Sequence, residues 1–396
     1  MDLTTFNELL TPAGQAALAA ASALTPMHAN LLSCIARLQE RFSTDLTRAA
    51  VETILLRQKA ASKFSRANAM YFTRVALEQS SGEQIAHHRA ERFARFGRAG
   101  DFCCGIGGDT IALAGRGPVM AIDSDSLRLA MASANLEVYG LRERVSFIEG
   151  DLLGMPLPDV EAAFFDPDRR AEGRRHISLR GYRPSIEALC ARLPADFPLG
   201  IKVAPAVPWK ELDQLAPEKE FISVDGELKE CVLWFGELRS AGRRATLLPG
   251  GTLAAEEPAA PPPLNAPLNY LYDPDPAITR AGLVTNLALQ LGAALIDPQI
   301  AFLTSRTLTP TPFARAYSVL EALPFHRKRL AERLRARGVG RITIIKRGSA
   351  VDTVELTRKL KLVGGASATV ILTRVQGNPF IVIAKEAIHG THRDGD

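Results

Sequence analysis

From the N-terminus to about residue 98, apolar positions recur at helical spacing, as in Ile54-Leu55-Leu56 and between Ile85 and Phe96, with few runs that read as strands. That pattern predicts a helical N-terminal domain over residues 1–98. From Ala99 the rhythm changes to short apolar runs separated by helical stretches: Gly100 to Cys103, Val119 to Ile122, Val145 to Ile148, Ala162 to Phe165 and Leu199 to Val203. Unbroken apolar runs suit strands buried on both faces of a parallel sheet. Two more runs, Phe221 to Val224 and Cys231 to Phe235, are joined by a segment that opens with Asp225-Gly226, a turn-forming pair that suits a hairpin. The expectation over residues 99–240 is therefore a doubly wound α/β sheet of seven strands ending in an antiparallel pair.

Gly250-Gly251 and the run EPAAPPP from Glu257 to Pro263 interrupt that rhythm and predict a Pro/Gly-rich linker over residues 241–265. Beyond it, residues 266–396 read as a separate α+β domain: a helix from Ile278 to Leu291, strands near Ile300 and Val319, and a basic helix from His326 to Arg337. A strand follows from Ile342 to Lys346, then a helix from Thr353 to Leu360 and two strands, Ala368 to Thr373 and Phe380 to Ala384.

Composition narrows the class. An apolar fraction of 46% with 23% charge over 396 residues describes a globular chain of two or three domains. No stretch approaches the roughly 20 apolar residues of a membrane span. The start, Met1-Asp2-Leu3, lacks the basic and apolar pattern of a secretory signal, so the expected location is the cytoplasm. Five cysteines without a CxxC pair support neither a metal site nor a disulfide framework. The net charge of +5 is concentrated late: between His326 and Arg374 there are thirteen Lys or Arg against three acids. That excess suits a polyanion partner or a solvated basic face.

The candidate chemistry sits at the predicted strand ends. Asp101-Phe102-Cys103-Cys104-Gly105-Ile106-Gly107-Gly108-Asp109 closes one strand and opens a helix, where bare backbone lets a ligand approach closely. A dinucleotide fingerprint would need a third glycine at position 110, which is Thr110, so a dehydrogenase is disfavoured. The second strand ends at Asp123, a carboxylate able to accept from both ribose hydroxyls of a nucleoside cofactor. The third ends in Glu149-Gly150-Asp151-Leu152 and the fourth in Asp166-Pro167-Asp168-Arg169-Arg170. Taken singly, each is compatible with a plain turn, but four in order along one sheet edge mark a ligand site.

On these residues the chain resembles class I S-adenosylmethionine-dependent methyltransferases. The string DFCCGIGGDT is most similar to that of RNA cap and tRNA guanine methyltransferases, including the trimethylguanosine synthase group. The whole chain resembles a bacterial methyltransferase family with a C-terminal THUMP-like domain. That resemblance is carried by Phe72-Thr73-Arg74 through Ala76-Leu77-Glu78-Gln79, by His88-Arg89-Ala90, by Asp166-Pro167 with Arg169-Arg170, and by Thr311-Pro312-Phe313-Ala314-Arg315-Ala316. It implies a Rossmann-like methyltransferase sheet, S-adenosylmethionine as cofactor, and RNA as partner. The expected cofactor contacts are Asp101, Cys103, Gly105, Gly107, Gly108, Asp123, Ser124, Asp151 and Leu152.

Methyl transfer from a sulfonium depends mainly on in-line positioning, worth effective molarities of about 10⁵ M or more. Asp166, Pro167, Asp168 and Arg169 are the expected catalytic set, with Asp166 orienting the acceptor. Enzymes that methylate exocyclic amines often carry a second proline and an aromatic here, and this chain has Asp168 and Arg169 instead. Uridine C5 enzymes need a cysteine nucleophile after the next strand, where this chain has Lys202-Val203-Ala204-Pro205, which rules out that covalent route. The expected substrate contacts are Arg74, His88, Arg170, Tyr182 and Lys202 near the sheet, and Lys346 and Arg347 in the C-terminal domain together with the helix around Arg333. Two further readings stay open: a methyltransferase with a small-molecule or protein acceptor, and a non-catalytic RNA-binding protein that retains a cofactor pocket.

Overall fold

The computed structural model describes residues 1–387 except 169, 172–173, 176–177 and 216; for residues 170–171 and 174–175 it describes the backbone alone. The chain forms two compact units, Met1–Glu218 with Cys231–Ser240, and Lys219–Glu230 with Ala241–Asp396.

The first unit opens with helices α1 (Leu3–Leu10), α2 (Pro12–Ala23), α3 (Leu31–Gln39), α4 (Thr44–Ala60), α5 (Arg74–Gln79) and α6 (Glu83–Ala90). Short polar side chains start four of them by accepting otherwise orphaned N–H groups: Asp2 for α1, Thr11 for α2, Ser43 for α4 and Thr73 for α5. Phe6, Leu9, Ala21, Ala50 and Met70 are fully buried, and the Phe6 and Tyr71 rings meet edge to face at 5.3 Å. The sheet then follows the apolar runs: β1 (Ala99–Phe102), β2 (Val119–Asp123), β3 (Val145–Glu149), β4 (Ala162–Phe165) and β5 (Leu199–Val203). These five are parallel, and every residue of β1 and β4 is buried, as strands covered by helices on both faces require. Helices α7 (Gly108–Ala114), α8 (Ser126–Tyr139), α9 (Ile186–Cys190) and α10 (Trp209–Gln214) occupy the connections.

β6 (Glu218–Val224) and β7 (Glu227–Trp234) are joined by the Asp225-Gly226 turn, whose two residues have φ of +51° and +77°. Cys231 to Trp234 run antiparallel to β5, giving the order β3-β2-β1-β4-β5-β7 in this unit. The seven strands expected from the sequence are all present.

In the second unit β8 (Arg243–Leu248) pairs in parallel with β6 and in antiparallel with β9 (Gly251–Ala255). This corrects the linker expected over 241–265, whose first half is a hairpin. Pro249 and Gly250 are the turn between two strands and Gly251 opens the second, and only the stretch after Ala255 lacks regular structure apart from a bridge at Leu264. The remaining strands, β10 (Tyr270–Pro274), β11 (Ala294–Asp297), β12 (Ile300–Ser305), β13 (Ala314–Pro324), β14 (Val339–Lys346), β15 (Ala366–Val375) and β16 (Asn378–Glu386), form a sheet of order β11-β12-β10-β13-β16-β15-β14. The helix expected from Ile278 to Leu291 is two helices, α11 (Pro276–Ala281) and α12 (Val284–Leu291), divided at Gly282 with φ +72°. Leu330 and Leu334 of α13 (Arg327–Ala336) and Leu356 and Leu360 of α14 (Thr353–Leu360) pack on Val370, Leu372, Ile381 and Ile383. No helix among the described residues is long and apolar enough to cross a membrane.

Candidate active site

The turn from β1 to α7 has left-handed backbone at Cys103, Gly105 and Gly107, with φ of +66°, +55° and +83°. Glycine is needed at two of these for different reasons. A Cβ on Gly107 would lie 3.2 Å from the Ala132 Cβ, whereas one on Gly105 would point into open space, the place from which a ligand can approach. Buried Asn135 on α8 fixes the turn from behind: its amide donates to the Ile106 and Tyr71 carbonyls, both at 3.0 Å, and its oxygen accepts from the Tyr71 N–H at 2.7 Å. Asp123 faces the turn from the end of β2. Its carboxylate accepts from the Gly105 N–H at 2.9 Å and the Asp125 N–H at 3.0 Å. Two of a carboxylate's four acceptor positions remain, which matches two ribose hydroxyls.

Behind the turn, Asp101 is fully buried and accepts from the Thr110 hydroxyl at 2.5 Å through Oδ2. Its Oδ1 is buried without a hydrogen-bond partner among the described residues. Burial, and then the neighbouring carboxylates Asp109 and Asp166, hold its carboxyl well above the usual carboxylate range. Arg89, also buried, pairs with Asp109 and lies over the Phe164 ring at 4.6 Å.

At the end of β4, the Asp166 N–H donates to the Phe102 carbonyl at 3.1 Å, which aligns the acceptor loop with the end of β1. The Asp166 side chain, 25% exposed, pairs with the Lys202 ammonium at 2.7 Å. Burial pushes the Asp166 carboxyl up, and Lys202 opposes that rise. Lys202 also donates to the Gln79 carbonyl at 3.2 Å, and the Gln79 amide donates to Asp168 Oδ1 at 3.0 Å. Asp168 is therefore a tether for the loop. Its backbone also exchanges two 2.8 Å hydrogen bonds with Arg183. Pro167 between the two carboxylates is buried.

Several expected contacts need relocating. Tyr182 is 1% exposed, and its hydroxyl accepts from the Ala204 N–H at 2.7 Å, so it is a core residue behind the loop rather than a stacking surface. Arg347, half-buried, is paired with Asp273 at 2.8 Å and donates to the Pro274 carbonyl at 3.2 Å. Lys346 is exposed and donates to the Val351 carbonyl at 3.3 Å. Arg74 is exposed at the start of α5, and His88 is half-buried on α6. Ser124 is exposed beside Asp123, while Leu152 is buried; exposed Asp151 accepts from the Leu153 N–H at 3.0 Å. Gly108 is the first residue of α7. Arg169 and the Arg170 side chain lie outside the described residues. Gln79, Arg89, Asp109 and Thr110 were absent from the expected set, although Asp109 and Thr110 directly follow the glycines and Gln79 ends the Phe72–Gln79 stretch.

The residues fit S-adenosylmethionine: the open space at Gly105, the spare acceptor capacity of Asp123 and the orphaned Asp101 Oδ1 all lie along one strand edge. Among the described residues no cluster of His, Cys, Asp or Glu is arranged to hold a metal. Residues 98–168 match the family described as RNA cap guanine-N2 methyltransferase, residues 314–386 match a THUMP domain-like family, and residues 2–60 match a domain family of unknown function. An uncharacterized S-adenosylmethionine-dependent methyltransferase of Mycobacterium tuberculosis is 35% identical over 338 residues, covering 82% of this chain and 92% of the relative. Trimethylguanosine synthase of Schizosaccharomyces pombe is 48% identical over 54 residues, 13% of this chain and 23% of that protein. A crystal structure from Porphyromonas gingivalis W83, described as a methyltransferase, superposes with TM-score 0.75 at 22% identity over 88% of this chain and 92% of that one, so the two share a fold. Because the Mycobacterium tuberculosis relative is 35% identical and aligned over 92% of its length, the chain belongs to the S-adenosylmethionine-dependent methyltransferases, and S-adenosylmethionine is its cofactor.

Proposed function

We propose that this methyltransferase acts on RNA, placing the methyl group on a base by direct in-line transfer. The observation that carries the reading is the match of residues 98–168 to the RNA cap guanine-N2 methyltransferase family, since that span begins at β1 and ends at Asp168 and so includes both the glycine turn and the acceptor loop. The THUMP domain-like match over residues 314–386 and the exposed cations Arg327, Lys328 and Arg329 on α13 support it, because phosphate backbones bind largely through such charges.

S-adenosylmethionine, when bound, supplies a methyl group activated as a sulfonium. The bare backbone at Gly105 would admit it, and Asp123 would accept hydrogen bonds from its ribose hydroxyls. Asp101, whose carboxyl is held up by burial and by the neighbouring carboxylates, keeps its Oδ1 as a polar atom without a partner among the described residues, beside the turn. Asp166 accepts a hydrogen bond from the acceptor group and so aims the acceptor lone pair along the line of transfer. Lys202 opposes the rise that burial imposes on the Asp166 carboxyl and so favours the carboxylate form that an acceptor-orienting role uses. Arg169 and Arg170, which follow Asp168 in the sequence, are candidates for holding RNA phosphate.

The test is transfer of labelled methyl groups to total RNA from cells lacking the gene, measured across salt concentrations. RNA as substrate predicts incorporation that falls steeply with ionic strength, by about 10³-fold or more between 50 and 200 mM if six or more phosphates are contacted. Salt-independent turnover on a small molecule or a protein, with no incorporation into RNA, overturns the reading.

A further inference from the structure

The stretch from Phe72 to Gln79 holds none of the expected cofactor contacts, yet it builds a tightly specified element. Thr73 caps α5 by accepting from the Ala76 N–H at 3.1 Å. At the other end, the Lys63 ammonium donates to the Leu77 and Ser80 carbonyls at 2.7 and 2.8 Å, a cation placed where the helix presents its negative end. The last residue of α5 is thereby fixed, and that residue is Gln79.

Gln79 makes two contacts with different parts of the active site. Its amide donates to Asp168 at 3.0 Å, while its carbonyl accepts from Lys202 at 3.2 Å; Lys202 in turn holds Asp166 at 2.7 Å. Two carboxylates separated by a single proline repel one another, and both are partly withdrawn from water. An amide donor on one and an ammonium on the other offset that repulsion and fix where each points. Both donors converge on one residue.

We propose that Gln79 is a positioning residue for methyl transfer, holding Asp168 directly and Asp166 through Lys202. The proposal rests on the reading of Asp166 as the carboxylate that orients the acceptor. It gives Asp168 a purpose: its carboxylate is the handle by which α5 sets the loop.

The test uses Gln79→Glu in the full-length protein. This change keeps the main-chain carbonyl that accepts from Lys202 but sets a carboxylate against Asp168. The expected result is a loss of kcat for methyl transfer to RNA of about 10²-fold, the scale of a displacement of about 1 Å in a reacting group. Cofactor affinity by calorimetry stays unchanged, and hydrogen exchange at the Asp168 and Arg183 amides speeds up. The double variant Gln79→Glu/Asp168→Asn reverses donor and acceptor, so exchange protection and kcat recover to those of Asp168→Asn alone. A general folding defect would not be rescued this way. Wild-type exchange and kcat in Gln79→Glu, or no recovery in the double variant, overturns the proposal. If the wild type transfers nothing to RNA, the RNA reading fails, and the exchange rates alone still decide whether Gln79 holds the loop.

Discussion

The glycine turn at residues 103–108 and the acceptor loop that begins at Asp166 lie at neighbouring strand ends, but they are specified differently. The turn is specified mainly by the elements that adjoin it: left-handed backbone at Gly105 and Gly107, an Asp123 carboxylate capping the Gly105 N–H, and Asn135 on α8 holding the Ile106 carbonyl. The acceptor loop is specified from afar, by Gln79 on an N-terminal helix, Lys202 on the next strand, and Arg183 beyond the arginine-rich segment. A glycine turn can be held by adjoining elements, whereas the loop proposed to meet the acceptor takes its geometry from more distant parts of its unit.

The largest expected effect separates the two regions outright. Asp166→Ala should lower kcat for methyl transfer by about 10²–10⁴-fold, the range for loss of a positioned acid–base group, while calorimetry shows cofactor binding intact. Loss of cofactor binding instead would mean that the acceptor loop also builds the cofactor pocket. The converse variant, Gly105→Ala, should weaken cofactor binding severely in calorimetry, because its methyl enters the open approach. It should cost only about 1–2 kcal/mol of stability in denaturant unfolding, the price of a left-handed alanine. Undiminished affinity would show that the cofactor does not approach at Gly105.

Lys202→Met sharpens the comparison through pH. Asp166 acts as a carboxylate, so activity rises with pH through its pKa. Burial raises that pKa and Lys202 lowers it, so removing the ammonium should move the acidic limb of the kcat–pH profile to higher pH. An unmoved limb would dissociate the ion pair from the chemistry. The smallest expected effect concerns Asp101. Its folded pKa lies above the unfolded value of about 3.9, so folding favours the protonated form. That contribution is fully present below the unfolded pKa and is lost as pH rises through the folded one. The stability of Asp101→Asn relative to wild type should therefore increase from acidic to neutral pH in denaturant midpoints.

The same contrast explains what could be read from the sequence. Strands buried on both faces announce themselves as unbroken apolar runs, and the β1–β5 runs and the Asp225-Gly226 hairpin were legible for that reason. Glycines and acids at strand ends were legible because their conformational and charge requirements are local. The β8–β9 hairpin was hidden because Pro249, Gly250 and Gly251 look like linker composition although the first two form a turn between strands and Gly251 opens the second. Tyr182 was misplaced because the sequence does not reveal that its hydroxyl accepts from the Ala204 N–H and that its ring is buried. Gln79 and Arg89 went unassigned because what they do depends on partners 89 and 20 residues away.

The most direct test of RNA base methylation through Asp166 is mass-spectrometric analysis of nucleosides in total RNA from cells with the gene, without it, and complemented with wild type or Asp166→Ala. One methylated nucleoside should disappear with the gene and return with the wild type but not with the Asp166 variant. An unchanged set of RNA nucleosides, from a protein that binds S-adenosylmethionine in vitro, would contradict RNA as the substrate.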